Sequence, residues 1–338
     1  MKTIIVTGGA GFIGSNLCKR LLGMSYKVIC VDNFYSGNKK NIEGLLQNPN
    51  FLFYNHDVTE SFTFDVDEIY HLACPASPVA YQRDPIFTFE TNILGTRNVL
   101  DLSLKNQSKV LLSSTSEVYG DPEHFPQNES YWGNVNPIGL RSCYDEGKRG
   151  AECLFFDYHR KRKARIKVAR IFNCYGPNMA IDDGRVISNF IVSALKDAPI
   201  SVYGDGLQTR SFCYVDDLVT GLISLMESGD RILGPINLGN PQEISISDIA
   251  NIIIKLTNSK SIITFSQLPS DDPRRRKPDI TLAKNILKWE PKIMLEEGLK
   301  KTIEYCSRRE KITTTRQSEN TNNRQTKMTN NAQFFLLV

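Results

Sequence analysis

The chain has 338 residues, of which 41% are hydrophobic and 23% are charged, and its formal net charge is +4. This composition is ordinary for a globular protein, and the small charge gives only a weak argument for a nucleic-acid or anionic-membrane partner. No apolar run approaches the ~20 residues that span a bilayer, so we expect a cytoplasmic protein with no membrane segment. The eight cysteines include no CxxC pair, which predicts reduced thiols and no metal site.

The first half of the chain alternates short apolar runs with helical patterns. Strands are predicted at 3–8, 27–32, 51–57, 68–73, 109–114 and 166–171, and helices at about 12–23, 85–105 and 144–164. Runs rich in β-branched residues are typical of strands that are buried on both faces. The alternation therefore predicts an α/β fold with a Rossmann-type, doubly wound parallel sheet.

The alternation weakens after residue 172. FNCYGPN and YGDGLQTRSF are predicted to be loops because they are rich in Gly and Pro. Further helices are predicted at 214–228, at 240–256 with Ser247 and Asp248 as candidate caps, at 279–291 and at 295–306. The Thr-, Asn- and Gln-rich segment over 311–338 has no apolar period, which predicts a disordered tail.

A glycine-rich turn follows the first predicted strand. TGGAGFIGS places Gly8, Gly11 and Gly14 at the start of the first helix. Glycine permits a tight turn and lets a pyrophosphate approach the helix N-terminus, where free N–H groups favour an anion. Asp32 ends the second strand, and its carboxylate should accept hydrogen bonds from a ribose and repel a 2′-phosphate. The sequence therefore predicts NAD rather than NADP.

A tyrosine and a lysine stand four residues apart in CYDEGKR, so Tyr144 and Lys148 share one face of a helix. A nearby ammonium group and a positive nicotinamide would stabilise the phenolate, which could then take a proton from a substrate hydroxyl. The preceding strand ends in SSTSEVYG, so the residues from Ser113 to Glu117 should lie at the carboxyl end of the sheet, where ligands bind.

These motifs resemble the extended short-chain dehydrogenase/reductases that act on nucleotide sugars, and TNILGT (91–96) is also similar. Within that superfamily the chain closely resembles the UDP-glucuronate decarboxylases, also called UDP-xylose synthases. The resemblance covers residues 1–306. The matching motifs are HDV (56–58), PASP (75–78), STSEVYGDPE (114–123), NPIGLRSCYDEGKR (136–149), ARIFN (169–173), DDGRV (182–186), RKPDI (276–280) and WEP (289–291).

The resemblance implies a reaction on UDP-glucuronate with NAD as a bound cofactor. C4 of the sugar would be oxidised, the resulting 4-keto acid would lose CO2, and the bound NADH would reduce C4 to give UDP-xylose.

Related 4,6-dehydratases have an Asp-Glu pair where this chain has Ser116 and Glu117. A serine is a poor general acid but can donate a hydrogen bond to a sugar oxygen or a carboxylate.

The resemblance also implies the site residues. The implied catalytic residues are Thr115, Ser116, Glu117, Tyr144, Lys148 and Arg276. The implied cofactor contacts are Gly8, Gly11, Phe12, Ile13, Gly14, Asp32, Asn33, Asp57, Val58, Leu72, Thr91, Ser113, Tyr144 and Lys148, although Asp57 could equally be a strand-end residue. The implied substrate contacts are Asn173, Arg185, Tyr203, Gln208, Arg210 and Arg276.

The basic run DDPRRRKPD (271–279) contains three arginines. Because the substrate carries a diphosphate and a carboxylate, planar guanidinium groups are suitable partners. The resemblance assigns the carboxylate contact to Arg276, whereas Arg274 and Arg275 are interpreted as a solvated edge.

The same resemblance suggests the domain organisation. We expect an NAD-binding Rossmann domain over 1–172, to which 212–240 returns, and a smaller C-terminal nucleotide-sugar-binding lobe from 173–211 and 241–306, with the active site between them. By analogy with relatives, a homodimer should form through the two long helices near 92–105 and 144–164. The first predicted strand starts at residue 3, so we expect no N-terminal membrane anchor.

Two other functions remain open on the sequence alone. One is a nucleotide-sugar 4,6-dehydratase or 4-epimerase, which would need no carboxylate contact. The other is a catalytically silent NAD-binding regulator, against which the retention of Tyr144, Lys148, Glu117 and Arg276 argues. The basic run RKRKAR (160–165) is interpreted as a solvated helix end, since no nucleic-acid-binding motif accompanies it.

Overall fold

The structure is a computed structural model, and it describes residues 1–181, 183–267 and 276–309. The predicted tail over 311–338 and the side chains of Arg274 and Arg275 lie outside these residues. The strands are β1 (Thr3–Thr7), β2 (Lys27–Asp32), β3 (Phe51–Asn55), β4 (Glu68–His71), β5 (Lys109–Thr115), β6 (Arg165–Ile171), β7 (Cys174–Tyr175), β8 (Ile200–Tyr203), β9 (Thr209–Ser211), β10 (Cys213–Tyr214), β11 (Ile236–Leu238), β12 (Glu243–Ser245) and β13 (Ile263–Ser266).

The helices follow the same order. They are α1 (Phe12–Gly23), α2 (Pro78–Arg83), α3 (Pro85–Glu90), α4 (Thr96–Asn106), α5 (Ser142–Arg162), α6 (Val186–Leu195), α7 (Val215–Glu227), α8 (Ile246–Thr257) and α9 (295–309). A π-helical turn, Thr91–Gly95, joins α3 to α4, so the helix predicted at 85–105 is a composite of three pieces.

Seven strands form one parallel sheet in the order β11-β6-β5-β4-β1-β2-β3. In the register, Ile5 of β1 lies opposite Ile29 of β2 and Ile69 of β4. The strand order runs outwards in both directions from β1. In a doubly wound sheet this switch point leaves a crevice at the carboxyl ends of the strands, which is where ligands bind.

Both faces of the sheet are covered by helices, as the apolar strands predict. Ile4 and Val6 of β1 pack in one apolar cluster with residues of α1 and α7, whereas Ile5 packs in a second cluster with residues of α4 and α5. Successive side chains of a strand point to opposite faces. The predicted fold class is therefore confirmed.

The segments after β6 build short elements around the same cleft. β7 pairs with β10, β9 pairs antiparallel with β12, and β8 pairs with β13. The apolar cluster of α1 and α7 continues into α6 and α8 through side chains such as Ile187 and Ile253. Arg276 forms an isolated bridge with Arg210 of β9, and this bridge holds the segment after residue 275 against the cleft.

Three expectations for this second half are wrong. The helix predicted from 240 begins at Ile246, because the chain is extended in β12, and its N-cap is Ser245 rather than Ser247 or Asp248. The helix predicted at 279–291 is confined to 281–287. The two segments predicted to be loops contain strands: FNCYGPN contains β7, and YGDGLQTRSF contains β9. Each of these strands forms by pairing with a strand that is distant in sequence.

Two further observations concern the described part of the chain. None of its helices combines the length and the apolar character that crossing a bilayer requires. Within the same residues, no group of three or more His, Cys, Asp or Glu side chains is placed to hold a metal ion.

Candidate active site

The candidate site is a cleft of about 1080 Å³ along the carboxyl edge of the sheet. Every catalytic, cofactor-binding and substrate-binding residue predicted from the sequence lines this cleft. A cleft of this volume can hold two nucleotide-sized ligands at the same time. The elements that contribute are the glycine-rich turn after β1, the ends of β2, β4, β5 and β6, the start of α5, and the strands of the second half.

The turn after β1 is shaped for a close approach of backbone and ligand. Gly8 has φ +68°, and a Cβ there would lie 2.8 Å from the backbone nitrogen of Ala73. A Cβ on Gly14 would lie 2.2 Å from the carbonyl oxygen of Gly8. Gly11 is the N-cap of α1 and offers no side chain to its first N–H groups. These groups therefore face the cleft with the positive end of the helix dipole, and Phe12 and Ile13 follow in the first turn.

Asp32 ends β2 at the rim of this turn. Its Oδ2 accepts a hydrogen bond from the backbone N–H of Ala10 at 2.9 Å, and its Oδ1 accepts one from Phe34 at 2.8 Å. Burial raises the pKa of the carboxyl group above its ordinary value, and the two backbone hydrogen bonds oppose this shift. The remaining acceptor positions of the carboxylate suit a ribose diol, so the residues present fit NAD.

Asp57 has local roles as well as a place in the cleft. Its Oδ2 accepts a hydrogen bond from Nδ2 of Asn33 at 2.9 Å, and its Oδ1 accepts one from the backbone N–H of Thr59 at 2.9 Å. The strand-end interpretation of Asp57 is thus observed, and the residue still lines the cleft beside Val58. Leu72 and Thr91 also line the cleft.

Tyr144 and Lys148 face the cleft from the first turns of α5. The ring of Tyr144 stacks on that of Tyr81 with centroids 5.2 Å apart, and its hydroxyl group hydrogen-bonds to the side chain of Thr115. Nζ of Lys148 donates to the carbonyl oxygen of Ser113 at 3.0 Å. This contact fixes the lysine against the end of β5.

The pKa of Tyr144 is shifted in the direction opposite to the prediction, in which a nearby ammonium group and a positive nicotinamide would stabilise the phenolate. Burial raises the pKa of Tyr144 well above its ordinary value, and burial lowers the pKa of Lys148. The protein side chains alone therefore do not lower the pKa of the phenol. A positive charge in the cleft, such as that of an oxidised nicotinamide, would oppose the effect of burial.

Glu117 is held by two arginines. The side chain of Thr115 caps the short 3-10 turn Ser116–Tyr119 through the backbone N–H of Glu117, which presents the carboxylate to the cleft. Nη2 of Arg276 donates to Oε2 of Glu117 at 2.5 Å, and Nη2 of Arg141 donates to the same oxygen. Burial alone would raise the pKa of Glu117, but the two guanidinium groups outweigh it and the pKa lies below its ordinary value.

The other predicted substrate contacts come from the second half of the chain and line the same cleft. Arg185 precedes α6 and forms an ion pair with Asp183, with Nη2 and Oδ1 2.9 Å apart. Nε2 of Gln208 donates to the carbonyl oxygen of Tyr203 at 2.6 Å. Asn173, Tyr203, Gln208 and Arg210 also line the cleft.

Several cleft residues were not predicted from the sequence. Arg141 contacts Glu117 across 24 positions of the chain, and Tyr81 stacks on Tyr144. Tyr305 and Arg309 of α9 also line the cleft, and Nη2 of Arg309 donates to Oδ1 of Asn41 at 3.0 Å. The only local signal for Arg141 is its i,i+4 spacing to Asp145 at the start of α5.

Comparison with known proteins agrees with this geometry. A family model described as the NAD dependent epimerase/dehydratase family matches residues 4–239. UDP-glucuronic acid decarboxylase 1 of Arabidopsis thaliana is 54% identical over 300 residues, which cover 89% of this chain and 68% of that protein. UDP-glucuronic acid decarboxylase 1 of Danio rerio is 53% identical over 307 residues, which cover 91% of this chain and 73% of that protein.

Solved structures give the same fold. UDP-glucuronic acid 4-epimerase from Bacillus cereus, in complex with UDP-glucuronic acid and NAD, is 31% identical, with a TM-score of 0.79 and coverage of 90% of this chain and 98% of that one. UDP-glucose 4-epimerase from Thermotoga maritima, with UDP-glucose, is also 31% identical, with a TM-score of 0.82 and coverage of 90% and 99%. The predicted resemblance is confirmed: the chain belongs to the NAD dependent epimerase/dehydratase family.

Proposed function

We propose that this protein is a UDP-glucuronate decarboxylase that converts UDP-glucuronate to UDP-xylose with bound NAD. The observation that carries the proposal is the buried pair of Arg276 and Glu117 in one cleft with Tyr144, directly after the end of β5, where Ser116 begins a 3-10 turn. This places a guanidinium group next to a base for a sugar hydroxyl, as a sugar carboxylate requires. The relatives named UDP-glucuronic acid decarboxylase at 53–54% identity support the same substrate.

In the proposed reaction, Tyr144 takes the proton of the C4 hydroxyl, assisted by Thr115, which hydrogen-bonds to it. NAD, when bound, supplies a reversible hydride acceptor for C4. The ketone formed at C4 is β to the C6 carboxylate, so the electrons of the breaking C5–C6 bond flow into the ketone as CO2 leaves. C5 is then protonated, and Tyr144 returns its proton when C4 is reduced.

The side chains around Tyr144 orient the sugar and keep water out. Lys148 holds its charge next to the end of β5 through the carbonyl group of Ser113. Ser116, whose hydroxyl group lies 3.4 Å from Oε1 of Glu117, is proposed to donate a hydrogen bond to a sugar oxygen. Arg185, Gln208 and Arg210 are proposed to hold the UDP group, because they line the part of the cleft farther along α6 and β9. Positioning of this kind can supply much of a rate enhancement.

The proposal extends to organisation. We infer that residues 1–172 and 212–240 form the NAD-binding domain and that 173–211 and 241–306 form the sugar-binding lobe. We also infer a homodimer in the cytoplasm. The dimer is supported by large apolar side chains that α3 leaves exposed, Ile86 at 72% and Phe89 at 43%.

Incubation of the purified protein with UDP-glucuronate tests the proposal. We expect release of one CO2 and formation of UDP-xylose, detected by mass spectrometry, without net consumption of NAD. Conversion to an isomer of unchanged mass would instead indicate 4-epimerisation, the activity named for the Bacillus cereus neighbour. Return of unchanged UDP-glucuronate would overturn the substrate assignment.

A further inference from the structure

Asn237, in the edge strand β11, is completely buried, and its side chain joins three segments of the chain. Its Oδ1 accepts a hydrogen bond from the hydroxyl group of Tyr119 at 2.8 Å. Its Nδ2 donates to the carbonyl oxygens of Gln127 and Asp279, at 3.0 Å in each case. Both N–H groups and the oxygen of the amide therefore have partners, as a buried amide requires.

The amide of Asn237 can point in only one direction. Nη1 of Arg170 donates to the hydroxyl oxygen of Tyr119 at 3.0 Å. Because a guanidinium group has no acceptor, this hydroxyl group directs its own proton to Oδ1 of Asn237. A reversed amide would place Oδ1 against the carbonyl oxygens of Gln127 and Asp279. The three hydrogen bonds of the side chain therefore form together.

Two of the joined segments carry the two members of the ion pair in the cleft. Tyr119 ends the 3-10 turn that carries Glu117. Asp279 follows Arg276 in the sequence RKPD. Glu117 and Arg276 are 159 positions apart in the chain, and their side chains meet at 2.5 Å. Asn237 thus connects their two segments by a route that does not pass through the ion pair itself.

Gln127 attaches the segment after Arg276 to the same place. Its backbone N–H donates to the carbonyl oxygen of Lys277 at 2.9 Å, and its Oε1 accepts a hydrogen bond from the backbone N–H of Lys277 at 2.8 Å. Its carbonyl oxygen accepts a hydrogen bond from the backbone N–H of Asp279 at 2.8 Å, in addition to the one from Asn237. The backbone that follows Arg276 is therefore held by Gln127 and Asn237 together.

We propose that Asn237 is a positioning residue that fixes the Glu117–Arg276 pair, and thereby the place at which the guanidinium group meets the C6 carboxylate of the sugar. The inference rests on the proposed function, since it names what positions one of its substrate contacts. Asn237 does not itself line the cleft, so its effect on the sugar must pass through this pair. A misplacement of about 1 Å, caused far from the reacting atoms, can lower a rate by about 10²-fold.

Binding of a carboxylate sugar and its neutral counterpart tests the inference in Asn237→Asp. This change keeps the shape of the side chain but turns the donor that faces two carbonyl oxygens into an acceptor. Calorimetric titrations with UDP-glucuronate and UDP-glucose are made in a Tyr144→Phe background, in which turnover should be slow. UDP-glucuronate binding should weaken by about 10- to 100-fold, because a hydrogen bond between charged groups is misaligned, whereas UDP-glucose binding should change by less than about twofold.

A double-mutant cycle on turnover gives an independent and milder test. Tyr119→Phe removes the hydrogen bond between the Glu117 turn and Asn237 and leaves the aromatic ring in place. It should lower the rate of CO2 release by about 10-fold, which is less than the effect of a misplacement by about 1 Å. In an Arg276→Ala background the same change should lower the rate by less than about twofold, because its effect passes through a group that is already missing.

Asn106→Asp is the matched control for the titrations. Nδ2 of Asn106 also donates to two carbonyl oxygens, those of Phe64 at 2.7 Å and Leu102 at 3.2 Å, but Asn106 does not line the cleft. Its substitution should change neither the ratio of the two binding constants nor the rate. Circular dichroism establishes that each variant is folded, and if Asn237→Asp is not, the cycle with Tyr119→Phe decides.

Equal weakening of both ligands in Asn237→Asp would overturn the inference and leave Asn237 a purely structural residue. Unchanged binding of UDP-glucuronate in the folded variant would overturn it as well, and so would additive losses in the cycle of Tyr119 and Arg276. Failure of the proposed function is a different outcome, in which the unmodified protein releases no CO2. The titrations then still report whether Asn237 controls the contact with the carboxylate.

Discussion

At the scale of single residues, the tyrosine at the start of α5 illustrates how burial and chemistry oppose each other. Tyr144 is 7% exposed, and burial holds its pKa above the ordinary value. A buried phenol can act as a base only if nearby positive charge stabilises its anion. Thr115 lowers the pKa of this phenol but does not outweigh burial, so the required positive charge must come from a bound ligand.

Tyr144→Phe isolates this hydroxyl group. The ring should keep its stacking on Tyr81, and turnover should fall by about 10²- to 10⁴-fold, since general-base catalysis contributes on that order. UDP-glucuronate should still bind, measured by calorimetry, while CO2 release gives the rate. The control is Tyr158→Phe, at a tyrosine that lies on α5 like Tyr144 but whose hydroxyl group donates to Asp101 of α4. This variant should leave the rate near that of the unmodified protein.

Arg276→Ala tests the carboxylate contact. Loss of the guanidinium group should lower turnover of UDP-glucuronate by about 10²- to 10³-fold, the usual effect of deleting one charge-stabilising donor. NAD content of the purified protein, measured by absorbance after denaturation, should not change, because the Gly8 turn is untouched. Lys277→Ala, whose side chain pairs with Glu243 at 3.2 Å, serves as the neighbouring control. Normal turnover in Arg276→Ala would contradict the assignment.

The residues of the site differ in how far the sequence could reveal them. Gly8, Asp32 and the Tyr144–Lys148 pair follow from local spacing, because each motif lies within one strand–helix–strand unit or one helix. Arg276 required a family resemblance, since nothing local connects it to a residue 159 positions earlier. Arg141 was missed because its partner Glu117 is brought near only by the packing of α5 on β5.

At the scale of elements, the first half was predictable because most of its strands are buried on both faces. Apolar runs such as those of β1 and β5 remain visible without any knowledge of their partners. Short strands such as β7 and β10 have two residues each and exist only through their pairing. Propensity over two residues carries no usable signal, so β7 was interpreted as part of a loop and Tyr214 of β10 as the start of a helix.

One buried histidine joins three elements and should make them sensitive to acid. His71 of β4 is hydrogen-bonded to Thr7 of β1 at 2.8 Å and to Thr96 of α4 at 3.2 Å. Burial, with the charge of Lys148, lowers its pKa from 6.5 to about 3. The unfolded chain therefore binds a proton that the folded protein does not bind between these values, and stability that is complete above about pH 6.5 is lost as the pH falls.

Urea unfolding at several pH values below about 7 measures this effect. The share of His71 should be a loss of about 1.4 kcal/mol in the free energy of unfolding for each pH unit. His71→Gln should flatten the curve by that amount, whatever its overall stability. His124→Gln, on an exposed side chain, should keep the slope of the unmodified protein. An equal slope in His71→Gln would contradict the assignment.

At the scale of the whole molecule, α3 and the π-helical turn expose a group of large apolar side chains. Ile86 and Phe89 of α3 and Leu94 of the π-helical turn are 72%, 43% and 37% exposed. They adjoin α4 and α5, through which the resemblance implies a four-helix dimer contact. Neighbouring exposed apolar residues on one face favour a protein interface over a free surface.

Leu94→Asp should therefore separate the proposed dimer. We expect the unmodified protein to have twice the chain mass of 38.2 kDa in light scattering, and the variant to have the mass of one chain. A charge in a buried apolar interface has no partner, which favours dissociation. Ile262→Asp replaces a side chain that is 65% exposed next to β13 and is the matched control. Because α5 also carries Tyr144, the monomer should retain the fold but bind UDP-glucuronate more weakly. A monomeric unmodified protein would contradict the proposed assembly.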